Sequence, residues 1–417
     1  MRPCGWAPPP TERAPGFEPE IVLTPFQHRC IENAGLGVIR DSVLAGERLT
    51  REQGMELYLH PDLLAVGALA NSVREGLHGD AAYYIVNQHI NHTNICVAGC
   101  KFCAFYRTAK QHDAYVLSPE DVERRMLLHI DEPIREIHMV GGVNPDLPLS
   151  YYIDVIRAMK RVRPEVHVKA FTMVEIAAMA ENFDLPAEEV LKQLKEAGLG
   201  SLPGGGAEIL TDHAHQVLFK GKIDHRAWIE IAMTAHRLGL KSNATMLYGH
   251  VETIEERLDH MLLLRQAQDV TGGFMAFIPL AFHPENTRLS HIPKPSAAED
   301  LRQLAVARLV LDNFPHIKAY WIMMTPRVAQ AGLHFGADDL DGTVVTEEIF
   351  HQAGAVSPQK VARQRLIDLI EEAGRVPVER DTLYNPVGPW AGRLQAHPVG
   401  GPPAMENGAG APAAPAS

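Results

Sequence analysis

Three of the chain's five cysteines fall within eight positions, in the stretch N-H-T-N-I-C-V-A-G-C-K-F-C-A-F-Y at 91–106. Cys96, Cys100 and Cys103 are separated by three and two residues, in a segment that reads as a loop leaving a strand. Thiolates converging from such a loop can hold a metal. A structural zinc site usually takes four ligands, often from two C-x-x-C pairs. No second C-x-x-C occurs, Cys4 and Cys30 lie far upstream, and His92 sits on the expected strand itself. Three cysteines instead suit a cubane iron–sulfur cluster with one corner left open, and thiolate ligation is ordinary chemistry for such clusters. Three buried cysteines packing as small hydrophobes would also account for the residues. The cluster reading explains both the number and the spacing.

The elements around this loop must then position it. Short β-prone runs alternate with longer amphipathic stretches, the rhythm of a parallel sheet with crossover helices. The expected strands are 83–95, 135–141, 165–171, 199–204, 240–247, 273–280, 317–323 and 340–345. Between them, 118–130 has Ser118 in a capping position with Asp121 three residues on. The stretches 186–198 and 225–239 each end at a glycine, a natural helix stop. Eight strand–helix pairs over this length predict an α/β fold of the (β/α)8 TIM-type barrel kind, with extra N-terminal helices. A doubly wound open sheet has the same periodicity. The division expected is a disordered tail at 1–18, a helical region at 19–80 packing on the barrel, the barrel itself at 81–391, and a disordered tail at 392–417. Both tails are rich in Pro, Gly or Ala and short of large apolar residues.

In a barrel, chemistry gathers at the C-terminal ends of the strands. The unusual residues fall there in phase. The cysteines follow the first expected strand, GGVNP the second, TMVE the third and PGGGAE the fourth; YGHVE follows the fifth and AFHPENT the sixth.

Composition narrows the partners. With 39 basic and 51 acidic residues the net charge is −12, which disfavours the basic stripe that a nucleic-acid footprint needs. No apolar run approaches the roughly 18 residues of a membrane span. The N-terminal prolines interrupt any secretory apolar stretch, so a cytoplasmic location is expected. A core this large needs no disulfide. No nucleophile elbow or Walker loop appears, which leaves hydrolysis and phosphoryl transfer without support.

The C-x-x-x-C-x-x-C spacing, with Phe102 before the last cysteine, resembles the radical S-adenosylmethionine (SAM) superfamily. The blocks NHTNICVAGCKFCAFYR, HMVGGVNPDLPLSYY, VHVKAFTMVEI, SLPGGGAEI, TAHRLGLKSNATMLYGHVET, GGFMAFIPLAFHPENT and GADDLDGTVV together resemble the aminofutalosine (aminodeoxyfutalosine) synthases of the futalosine route to menaquinone. The sister dehypoxanthine futalosine cyclases share most of these blocks; NATMLYGHVET and FIPLAFHPENT favour the synthases.

The resemblance implies a [4Fe-4S] cluster held by Cys96, Cys100 and Cys103, with SAM as the second cofactor. It implies that Gly141 and Gly142 approach the methionyl ammonium. It also implies that Phe102, Glu175 or Glu208, and Tyr248 in the 248–252 loop contact the nucleoside. The implied substrate is 3-[(1-carboxyvinyl)oxy]benzoate, a dianion. Its carboxylates would find donors among the PGGGA backbone around Gly205, Asn243, Thr245, His250, His283 and Arg327. The implied electron donor is a flavodoxin or ferredoxin. The cyclase is the alternative within the superfamily, and a zinc-holding scaffold protein the alternative outside it.

Overall fold

A computed structural model describes residues 20–219 and 221–390. The two expected tails, 1–18 with Cys4 and 392–417, lie outside the described residues. Four helices come first: Pro25–Asn33, Gly37–Leu44, Arg51–Leu59 and Leu63–His78. Thr24 with Gln27, and Thr50 with Gln53, form reciprocal capping boxes at two of the starts. This region leans on the outer helices Ile254–Thr271 and Ala297–Val310. Arg48 fastens it there, bonding Asp312 at 2.9 Å and Asp269 at 2.6 and 2.7 Å. It therefore packs on the flank of the barrel.

The strands are β1 Ala81–Ile85, β2 Asn87–Ile90, β3 Glu136–Met139, β4 His167–Ala170, β5 Leu199–Leu202, β6 Lys241–Tyr248, β7 Phe274–Ala281, β8 His316–Ile317, β9 Asp339–Gly342 and β10 Val376–Glu379. Strands β2 to β8 form one parallel sheet of seven in sequence order. This is the curled sheet of the expected barrel. Three details differ from expectation. The run 317–323 is strand only at its start, in β8, and turns helical at Trp321–Met324. The run 83–95 is not one strand: β1 pairs with β9 and β10 in a separate three-stranded sheet, and the chain crosses at Val86 into β2.

The eighth stave is also irregular. Toward the seven-stranded sheet the segment 339–345 makes only single bridges, Lys318 with Asp339 on one side and Gln88 with Val345 on the other, while β9 keeps its ladder with β1. Asp341, Val344 and Thr346 take φ of 68°, 42° and 67°, which breaks an extended ladder. Side chains hold the seam instead. The Asn87 amide oxygen accepts from the Val344 N–H at 2.9 Å, the Asn87 N–H donates to the Thr343 hydroxyl at 3.1 Å, and the Trp321 indole donates to the Gly342 carbonyl at 2.9 Å.

The expected helices appear as Pro119–Leu127, Ala187–Ala197 and His225–Arg237. The first has the Ser118–Asp121 box, and Gly198 closes the second with φ of 118°. Among the described residues no helix is long and apolar enough to cross a membrane.

Candidate active site

Beyond β2 the cysteine loop is pinned by its own backbone. The Cys96 N–H donates to Arg107 O at 3.0 Å, Val97 N–H to Val143 O at 3.0 Å, and Lys101 N–H to Leu218 O at 3.0 Å. The Arg107 guanidinium ties the turn by donating to the carbonyls of Ala104, Phe105 and Tyr106. All three thiols line one cavity of about 270 Å³ at the C-terminal ends of the strands. Cys100 is buried and the other two are half-buried. Burial pushes the Cys100 thiol up to about 12 and raises that of Cys103. Burial thus favours the protonated form of these two thiols, and a bound iron would hold them as thiolates.

The donor set fits a cluster better than one zinc ion. Among the described residues, the group whose three ligand atoms all lie within 4.8 Å of one another is His78, His316 and Asp338, not the cysteines. A tetrahedral zinc with bonds of about 2.3 Å would need its sulfurs about 3.8 Å apart. The three thiols are not gathered that closely, and three cysteines are the number that would hold a cubane at three corners.

Next to it, the turn after β3 approaches without side chains. A Cβ on Gly142 would collide with the Ile95 carbonyl, and one on Gly141 with the His92 ring. The Gly142 N–H instead donates to Thr93 O at 2.9 Å. Glycine here lets two loops touch, whatever else it admits.

The two candidate carboxylates differ. Glu175 is 4% exposed and fully occupied. Its Oε1 accepts from the Gly141 N–H and His92 Nε2, both at 3.2 Å, and its Oε2 from the N–H and hydroxyl of Thr172 at 2.7 and 2.9 Å. It welds the ends of β3 and β4 together. Glu208, in a left-handed conformation with φ of 47°, lines the cavity and uses only Oε1, in an ion pair with Lys222 at 2.6 Å. Lys222 lies over the Phe219 ring at 4.3 Å and the Phe102 ring at 5.6 Å. Its charge favours the Cys100 thiolate. Nothing in the sequence spacing singled out Lys222.

The remaining candidates divide. Gly205 and His283 line the cavity, as do Phe102, Gly141 and Gly142. His283 is already bonded, Nε2 to Met323 O at 3.0 Å. Thr245 also lines it, with its hydroxyl donating to Gly204 O at 3.0 Å. Tyr248, Asn243, His250 and Arg327 are not among its lining. Tyr248 is buried beneath, donating to Asp300 at 2.6 Å. Asn243 is buried in β6, its carbonyl against Gly204. His250 braces its own loop through Leu247 O at 2.9 Å and Glu252 at 2.8 Å. Arg327 is exposed on the helix Pro326–Gly332.

Sequence reasoning missed a polar layer deeper in the cavity. His89, His138 and Lys169 line it from β2, β3 and β4, with Asn91 nearby. Lys169 pairs with Glu136 at 2.7 Å, and Lys318 with Asp341 at 2.9 Å. The signal was present as polar residues at inward positions of otherwise apolar strands, as in E-I-H-M and H-V-K-A.

Residues 90–264 match the model of the radical SAM superfamily, and 271–390 match the CofH/MqnC C-terminal region. The aminodeoxyfutalosine synthase of Thermus thermophilus is 46% identical, over 87% of this chain and 98% of that protein. The cyclic dehypoxanthine futalosine synthase of Halalkalibacterium halodurans is 37% identical, over 83% and 93%. Among solved structures, methylornithine synthase superposes with a TM-score of 0.65 at 16% identity, covering 81% of this chain and 97% of that one, a likeness of fold.

Proposed function

The chain belongs to the radical SAM superfamily, in the group that holds the aminodeoxyfutalosine synthases, and from that premise we propose that it joins the adenosyl portion of SAM to 3-[(1-carboxyvinyl)oxy]benzoate. The product is aminodeoxyfutalosine, formed with loss of one carboxyl carbon, on the futalosine route to menaquinone. The observation that carries this reading is the near full-length likeness to the Thermus synthase, combined with three thiols opening into one cavity. The enzyme uses a [4Fe-4S] cluster and SAM. Together these supply, when bound, the 5′-deoxyadenosyl radical that adds to the enol-ether double bond.

The chain's own residues hold and shelter. Cys96, Cys100 and Cys103 grip the cluster. Gly141 and Gly142 leave room for the methionyl ammonium. Glu208, with Oε2 uncommitted, takes the ribose hydroxyls, while Glu175 orients the strand ends through its four bonds. Leu247, Ile278, Leu280 and Phe282 form an apolar wall that keeps water from a reactive carbon radical. An acidic or small redox protein such as flavodoxin or ferredoxin delivers the electron, in the cytoplasm.

The test is a pair of incubations. Reconstituted, reduced enzyme is given SAM with either the carboxyvinyl-oxybenzoate or dehypoxanthine futalosine. Product and methionine are expected in step with the former only. Coupled turnover with the nucleoside alone would move the chain to the cyclase reaction.

A further inference from the structure

We infer that the row His89, His138 and Lys169 is an anion subsite that holds one carboxylate of an aryl carboxylate substrate at the deep end of the cavity. This rests on the substrate class proposed above and adds the residues that recognise it.

The row is built into the sheet. His89 on β2 is in register with His138 on β3, and His138 with Lys169 on β4. All three point to the cavity. The imidazoles stack at 4.4 Å between centroids with 18° between planes, which fixes their edges. His138 on β3 precedes Gly141, in the turn that follows, by three residues, so the row lies at most roughly 10 Å below the glycine turn at about 3.3 Å per residue. That span accommodates a substituted ring between the cofactor end and the row.

The polar groups of the cavity say which ligand suits it. The carboxylates already have partners: Glu175 four donors, Glu208 Lys222, Asp341 Lys318, and Glu347 the N–H groups of Ile349, Phe350 and His351. Donors remain over in the row. Lys169 has three N–H bonds and gives one, to Glu136. His89 is 8% exposed, yet its Nε2 has no partner. A buried nitrogen without a partner is costly unless a ligand satisfies it. A carboxylate seated here accepts from Lys169 and selects the Nε2–H tautomer of His89. Among the described residues the other lysine of the cavity lining, Lys222, stands at the thiol end, paired with Glu208.

The probe is 3-(trifluoromethoxy)benzoate, which has neither enol ether nor nucleoside, compared with its neutral primary amide. Binding to the cluster-reconstituted, SAM-loaded protein is followed by ¹⁹F NMR. The benzoate should bind about tenfold or more tighter than the amide, the scale of a charge-assisted contact. Two variants test the row. His89→Phe keeps a ring on His138 but has no N–H. Lys169→Met with Glu136→Leu removes both members of the buried pair, so no lone charge is stranded. Each should reduce the preference to near unity while amide affinity changes by less than about twofold. Iron content and thermal melting report folding, and if one variant fails to fold the other decides. An unchanged preference in the folded variants, or none in the wild type, overturns the subsite. Because the probe is no substrate of either futalosine enzyme, the outcome is separate from which reaction the chain performs.

Discussion

The two ends of the strand sheet treat their buried polar groups in opposite ways. At the N-terminal ends, Asp338 meets Arg308, His316 and the Ile317 N–H within 2.8 Å, with His78 at 3.7 Å. Burial opposes its ionisation, but these partners hold its carboxyl far below the ordinary range. His78, His316 and Asp338 have the spacing of a metal site, yet Arg308 shares the carboxylate, so a cation there would face a guanidinium. At the C-terminal ends, by contrast, three cysteines free of disulfides and one uncommitted oxygen of Glu208 border an open cavity, and the buried Nε2 of His89, a residue of its lining, has no protein partner. The difference teaches where to look. A carboxylate enclosed by its partners, as Asp338 is, fixes the fold, whereas uncommitted groups around space await a ligand.

Breaking either end should have distinct signatures. The largest effect belongs to the thiols. Replacing any one of Cys96, Cys100 or Cys103 by Ala should abolish SAM cleavage and strip the brown absorbance of anaerobically prepared protein, because two thiolates hold a cubane poorly. Cys30→Ala should change neither; if it lost the cluster while Cys100→Ala kept it, the ligand set would be wrong. Asp338→Ala should do the reverse. It leaves Arg308 buried and unpaired, costing about 3–5 kcal/mol in denaturant unfolding, while iron per folded molecule stays constant.

Glu252 sharpens the comparison, since it is a saturated group at the open end. Burial raises its pKa, but the His250 ring and Arg257 outweigh that and hold it at about 2, against 4.5 when unfolded. A folded value below the unfolded one adds stability above pH 4.5, lost as pH falls from 4.5 toward 2. Glu252→Gln should therefore cost about 3 kcal/mol at neutral pH, and the gap from wild type should narrow to about 1 kcal/mol by pH 2.5. A gap that ignored pH would mean the charge is not the cause. The smallest effect is at Lys222. Lys222→Met frees Glu208 and should weaken SAM binding about tenfold by equilibrium dialysis, the worth of one charge-assisted bond. Unaltered affinity would remove Lys222 from the cofactor end.

Several features were legible from residues alone, and for identifiable reasons. Cys96, Cys100 and Cys103 are local in sequence, so their spacing reports their shared loop. The capping box at Ser118 and the stop at Gly198 are likewise local, set by the backbone groups of a single turn. Arg327 shows the limit. Its nearness to a strand end suggested a carboxylate grip, but it is exposed outside the cavity lining. Tyr248 and His250 likewise follow a strand end, yet they brace the loop with Asp300 and Glu252.

The sequence by itself determined the alternating elements, the phase that sends the reactive loops to one end, and the three-thiol motif, because each depends on neighbours within a few positions. Only the tertiary structure decided the rest. The split of 83–95 between two sheets, the irregular seam at 339–345, and the row of His89, His138 and Lys169 join residues 30 to 250 or more positions apart. Side-chain period tells which residues point inward, but not which strand stands beside which, and that adjacency is what brings a lysine and two histidines to one wall.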